Sequence, residues 1–134
     1  MSDITELGEQ ILAISRQSWA DKSARGAKLT ETEFIALDYL SHEGTAAVGQ
    51  IRGHIGVLPA QMSRIMRSLE DAKFVTAGIN RQDKRKIDVT ITEAGQRACE
   101  KFRRAKLGRI IDALEKLTED ERSQFLALLH RMTS

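Results

Sequence analysis

The 134-residue chain has one cysteine, one proline and few aromatic side chains, 4% of residues. A lone thiol, Cys99, excludes an internal disulfide and fits a reducing compartment. No apolar run approaches the roughly 20 residues that a membrane-spanning helix needs. The opening MSDITELGEQ has neither a basic region nor an apolar stretch and does not read as a secretion signal. A cytoplasmic protein with no membrane partner is expected. Enzyme hallmarks are missing too: there is no Gly-rich phosphate cradle, nucleophile elbow or paired set of metal ligands. Gly44, Gly49, Gly53 and Gly56 are scattered as helix and turn punctuation. His42, His54 and His130 include no pair at helical ligand spacing, so neither a metal nor a cofactor is expected.

What the chain does have is charge, 30% of residues, and its distribution says more than the net value of +2. Between Arg52 and Lys86 stand eight Lys/Arg against three acids, whereas Asp112 to Glu121 holds five acids against Lys116 alone. Segregation of this kind implies one face for an anionic partner and another with a different task. The basic end is densest at Arg81, Lys84, Arg85 and Lys86, offset locally by Asp83. Behind that cluster Ile87, Val89 and Ile91 alternate with Asp88 and Thr90, the pattern of a half-buried strand. A basic hairpin tip on such a strand suits a phosphate-lined groove.

Helix starts are legible. Thr30 and Glu33 form a capping box, with Leu29 and Phe34 placed as its hydrophobic staple; Thr118 and Glu121 repeat the box. Thr92 caps a further helix, with Glu93 in the first turn. These anchors predict helices over 4–22, 31–41, 46–54, 59–72, 93–117 and 119–132, and strands over 74–79 and 87–91. Pro59 stands at the first position of the fourth helix. Helix, turn, helix and then a β-hairpin make a winged helix-turn-helix, a mainly α (α+β) fold.

The fourth helix is the most telling. At 100° per residue, Met62, Ile65, Met66 and Leu69 fall on one side and Ala60, Ser63, Arg64, Arg67 and Asp71 on the other, with Gln61 at the shoulder. A small residue lets a backbone approach closely; Arg can take the acceptor pair of guanine and Gln that of adenine. The candidate DNA-contacting set is therefore Ala60, Gln61, Ser63, Arg64 and Arg67, with Arg81, Asp83, Lys84, Arg85 and Lys86 of the wing. For Arg64 a salt bridge to Glu70 or Asp71 is disfavoured by spacing, while Arg67 can pair with Asp71 at i, i+4. Residues 1–134 read as one domain: 29–92 the winged lobe, 1–28 and 93–134 long terminal helices. Their surplus of apolar positions, among them Ile4, Leu7, Ile11, Ile110, Ile111, Leu114, Phe125, Leu128 and Leu129, suggests a homodimer reading a palindrome in double-stranded DNA.

The chain resembles the MarR family of bacterial transcriptional regulators. The resemblance is carried by Leu29-Thr30 with Phe34, Leu37 and Leu40, by Gln61-Met62-Ser63-Arg64-Ile65, by Asp83-Lys84-Arg85, and by Ile91-Thr92-Glu93-Ala94-Gly95. It implies a homodimer joined through the first, fifth and sixth helices, with recognition helices in successive major grooves. It implies Arg85 in the minor groove, Asp83 holding the wing, and a repressor released by a small lipophilic or aromatic effector. Two positions depart from the family pattern: Ala77 stands for a common arginine and Arg81 for a wing-tip proline. Trp19 and Tyr39 could line an effector pocket, or simply pack between helices. Two other readings are a winged-helix protein-interaction module without DNA reading and a thiol-switched regulator through Cys99, although a buried thiol suits that position better.

Overall fold

The computed structural model describes residues 3–20 and 29–134; the side chain of Trp19 lies outside the described residues. The elements run α1 Asp3–Ala20, α2 Glu31–Glu43, β1 Thr45–Ala47, α3 Val48–Ile55, α4 Pro59–Asp71, β2 Val75–Ile79, β3 Ile87–Ile91, α5 Glu93–Leu114 and α6 Glu119–Thr133. They form two units, Ser23–Arg103 and Met1–Lys22 with Arg104–Ser134. The architecture of the first unit is a winged helix-turn-helix, mainly helical with one small antiparallel sheet. No described helix is long and apolar enough to cross a membrane.

In the first unit α2 begins as its sequence dictates. Thr30 Oγ1 accepts from Glu33 N at 3.2 Å, and Glu33 Oε1 accepts from Thr30 N at 3.2 Å, closing the capping box. Ala36, Leu37 and Leu40 are fully buried, while Phe34 and Leu29 lie against the same core. Ile51 of α3 and Met62, Ile65, Met66 and Leu69 of α4 join them, with Val75 and Val89 from the sheet. Gly56 ends α3 at φ 80°, a left-handed conformation that glycine adopts without a Cβ penalty. Tyr39 packs against His54 in a tilted ring pair with centroids 4.6 Å apart, joining α2 to α3. Helix packing thus explains this tyrosine.

The sheet has a strand that the sequence reading omits. β1 pairs with β3, Ala46 opposite Val89, so β3 is central in the order β1-β3-β2. This shortens the predicted third helix, which starts at Val48 instead of residue 46; Gln50 Oε1 then accepts from Ala47 N at 2.9 Å. The fifth helix is also shorter than its periodicity suggests. Lys116 N and Leu117 N bond to Ala113 O and Leu114 O, tightening the last turn so that Thr118 can be extended and cap α6. In the second unit α1 and α6 leave Ile4, Leu7, Ile11, Leu128, Leu129 and Met132 exposed.

The start of α5 is wedged against the start of β2. Thr92 N donates to Phe74 O at 3.0 Å, Thr92 Oγ1 donates to Lys73 O at 2.8 Å and accepts from Gly95 N at 3.0 Å. A Cβ on Gly95 would sit 2.2 Å from Phe74 O and 2.9 Å from Ile91 Cγ1. Inside a helix Gly→Ala ordinarily gains about 0.5–1 kcal/mol; here the sign reverses. Gly95→Ala is expected to lose about 1–3 kcal/mol in urea unfolding through overpacking against backbone. Gly108→Ala, in the same helix with no described heavy atom within 4 Å of its Cβ, is the control and should gain.

Candidate nucleic-acid interface

Helix α4 starts with Pro59 at its first turn and buries one stripe completely enough to fix its rotation, Leu69 at 0% and Met62 at 2% exposure. The opposite face is therefore dictated. Ala60, Gln61, Ser63, Arg64 and Arg67 are all exposed. Ser63 Oγ donates to Pro59 O at 3.2 Å, so its hydroxyl faces outward only as an acceptor. The possible Arg67–Asp71 pair does not form: among the described residues neither Arg64 nor Arg67 has an ion-pair partner. Both guanidiniums are exposed to solvent, and although Glu70 and Asp71 line the groove beside Arg67, neither is ion-paired with it.

The position of α4 over the core has a polar anchor as well. Ser68 Oγ donates to Glu33 Oε2 at 2.8 Å, while the other oxygen of that carboxylate caps α2. Glu33 is buried, at 8% exposure, and both its oxygens are used. One short acidic side chain thereby ties the C-terminal half of α4 to the first turn of α2.

The wing is built around Asn80, a residue that the sequence reading passes over. Its Oδ1 accepts from Gln82 N at 2.8 Å and Asp83 N at 2.9 Å, and its Nδ2 donates to Asp88 Oδ2 at 2.9 Å. The available signal was an Asn two and three residues before the turn amides it binds, a common turn-forming habit. Asn80 N and Lys86 N donate to Lys86 O and Asp83 O, closing the loop. Arg81, Lys84, Arg85 and Lys86 are exposed on it. Asp83 Oδ1 accepts from both Arg85 N and Arg85 Nε at 3.1 Å. The Arg85 side chain nevertheless remains 91% exposed.

Helix and wing open onto common ground. Ser63 and Arg67 of α4 line one groove with Ala77 and Ile87 of the hairpin, over a floor of Met62 and Met66. Arg52 of α3 lines it too. Its charge belongs to the basic segment visible in the sequence, but no local pattern places it at the site. A neighbouring concavity joins Gly49 and Gln50 of α3 to Arg85 and Lys86. Ala60 and Arg64 lie on the outermost side of α4, and Gln61 on the shoulder it shares with Ser68. Ile87 departs from expectation. Alternation assigns it to the apolar inner face with Val89 and Ile91, and it is on that face, but beyond the cover of the helices and 49% exposed.

The Asp83 carboxyl is held below the usual carboxylate value, first by the Arg85 side chain, then by the Arg85 backbone N–H, and by the Lys86 charge. A depressed acid pKa contributes stability above the unfolded value and loses it as pH falls through the folded one. The wing fastening is accordingly kept at neutral pH and lost only in acid, below the ordinary carboxylate range. A carboxyl-detected NMR titration should show Asp83 titrating below that reference, and Arg85→Ala should move it upward; an unchanged midpoint would contradict the pairing.

Comparison with known proteins agrees with this geometry. The MarR family model matches residues 29–87. The chain is 32% identical over 106 residues to an HTH-type transcriptional repressor of Mycobacterium tuberculosis, covering 79% of this chain and 76% of that one. Wild-type MarR from E. coli has the same fold, TM-score 0.81 at 19% identity, covering 96% and 97% of the two chains. A mutant of it complexed with operator DNA matches at TM-score 0.73 and 19% identity, over 98% and 96%. BpsR of Bordetella bronchiseptica, whose DNA binding is regulated by 6-hydroxynicotinic acid, matches at TM-score 0.67 and 19% identity, over 96% and 99%. With the exposed α4 face, the basic wing and these likenesses together, the chain belongs to the MarR family of DNA-binding, helix-turn-helix transcriptional regulators and is not an enzyme.

Proposed function

We propose that this protein is a cytoplasmic homodimeric repressor that reads a palindromic operator and leaves it when a small lipophilic or aromatic effector binds. The observation that carries the DNA-reading part is the solvated Arg64–Arg67 face of α4, which adjoins the groove shared with the cationic wing. In this reading Gln61, Ser63, Arg64 and Arg67 address base edges in the major groove, and Ala60 lets the helix approach closely. Arg81, Lys84, Arg85 and Lys86 engage the flanking backbone and minor groove, while Asp83 sets the direction of Arg85.

Dimerisation is supported by the apolar side chains left exposed along α1 and α6, which a monomer has no use for. In the proposed division, 29–92 is the DNA-binding lobe, and 1–28 and 93–134 make the dimer. Repression is supported by the repressor name of the mycobacterial relative, and effector release by the ligand-regulated BpsR.

Selection of bound duplexes from a random pool, followed by footprinting, tests the whole reading: a two-fold footprint spanning two successive major grooves is expected. On that operator Arg64→Ala should lose about 1–3 kcal/mol and relax preference at one base pair. Arg85→Ala should weaken binding evenly across sequences and reduce the salt slope by about one unit. Unchanged affinity of both variants across salt would overturn the docking.

A thiol switch is disfavoured by the surroundings of Cys99. It is 1% exposed, and burial together with the Glu100 charge pushes its pKa up to about 11, so the reactive thiolate is scarce at neutral pH. Folded protein at pH 8 should react with a thiol-specific reagent far more slowly than urea-unfolded protein. DNA binding should be indifferent to Cys99→Ser.

A further inference from the structure

We propose that Ile79 and Ile87 form the apolar contact surface of the wing for duplex DNA, seated on deoxyribose and base-edge carbons between the phosphates that the basic residues engage. The inference rests on the DNA-binding reading above and extends it to two residues with no charge. Ile79 and Ile87 are directly opposite each other in the β2–β3 register. By the two-residue period of a strand they continue the face that carries Val75 with Ile91 and Ala77 with Val89. Nearer the body that face is core, with Val75, Val89 and Ile91 all buried. Toward the tip it runs out from under the helices, and Ile79 and Ile87 are left 69% and 49% exposed.

Isolated exposed isoleucines are ordinary. A cross-strand pair in this setting is not, because of its neighbours. Ile87 adjoins Lys86 and Arg85, with Asp88, in the concavity against α3, and lines the groove that holds Arg52 and Arg67 along with Glu70 and Asp71; Ile79 lies beside Arg81. An apolar strip flanked at the wing tip by Arg81, Arg85 and Lys86 fits a backbone surface in which carbon-rich sugars alternate with phosphates. The exposed Arg81, Lys84, Arg85 and Lys86 of the adjoining loop make a polyanion its complement, which selects duplex DNA as the occupant over an apolar protein partner.

The test uses the full-length protein and its selected operator. Ile79→Thr and Ile87→Thr keep β-branched strand formers in place, exchange an ethyl group for a hydroxyl and leave the charge unchanged. Each is expected to weaken operator binding about tenfold, from the partial loss of one buried aliphatic side chain. The slope of affinity against salt should stay that of the wild type, since no phosphate contact is lost. Unchanged affinity in both variants, or a loss accompanied by a shallower salt slope, overturns the proposal. A measurement that needs no variant is the Ile δ1-methyl NMR spectrum: the Ile79 and Ile87 signals should shift on addition of operator, and signals that stay in place overturn it. If the wild-type protein retains no duplex from the random pool, the DNA reading itself fails, an outcome distinct from these.

Discussion

The contact between the first turn of α5 and the Phe74 carbonyl constrains everything built beyond it. At Gly95 two stretches of backbone approach more closely than any side chain would permit, and Thr92 bonds both flanking segments at once. The end of β3, the start of β2 and the start of α5 are thus fixed to one another at a point. From that point the hairpin projects outward, and its inner face is aligned with the groove along α4. A looser junction would leave the wing held by the short strand pairings of a three-stranded sheet and the burial of Val75, Val89 and Ile91.

Around this junction the interface is assembled before any ligand arrives. The rotation of α4 is set by four buried side chains, so its solvent face follows from its core face. The wing loop needs no partner to take shape, because Asn80 and Asp83 satisfy its turn amides internally. Preorganisation matters energetically, since ordering a loop on binding subtracts from affinity. The same economy holds for charge: among the described residues Arg64 and Arg67 form no ion pair, whereas Arg85 is oriented by a carboxylate without being covered.

The strongly periodic parts of the fold could be read from residues alone. Capping boxes at Thr30 and Thr118, the amphipathic stripe of α4 and the alternation in β3 each encode their structure within a few neighbouring positions. Features that depend on distant chain could not. β1 is three residues long and two of them are alanine, so its strand character comes from pairing with Thr90, Val89 and Asp88 some 45 residues away. The exposure of Ile87 depends on where the helices stop covering the sheet, which no period of two encodes. Arg67 had a carboxylate at the right spacing and did not use it, in keeping with the small net value of solvent-exposed ion pairs. The partnership of Glu33 with Ser68 crosses 35 positions and leaves no local trace beyond the cap.

That shared carboxylate has a mechanical corollary. Because one oxygen closes the first turn of α2 and the other accepts from α4, both attachments depend on a single side-chain orientation. Any tilt of α4 that pulls Ser68 away drags on the side chain that seals the neighbouring helix end. The two helices are coupled through the two oxygens of one glutamate, so a change at the entrance of α2 bears on the helix that carries Arg64.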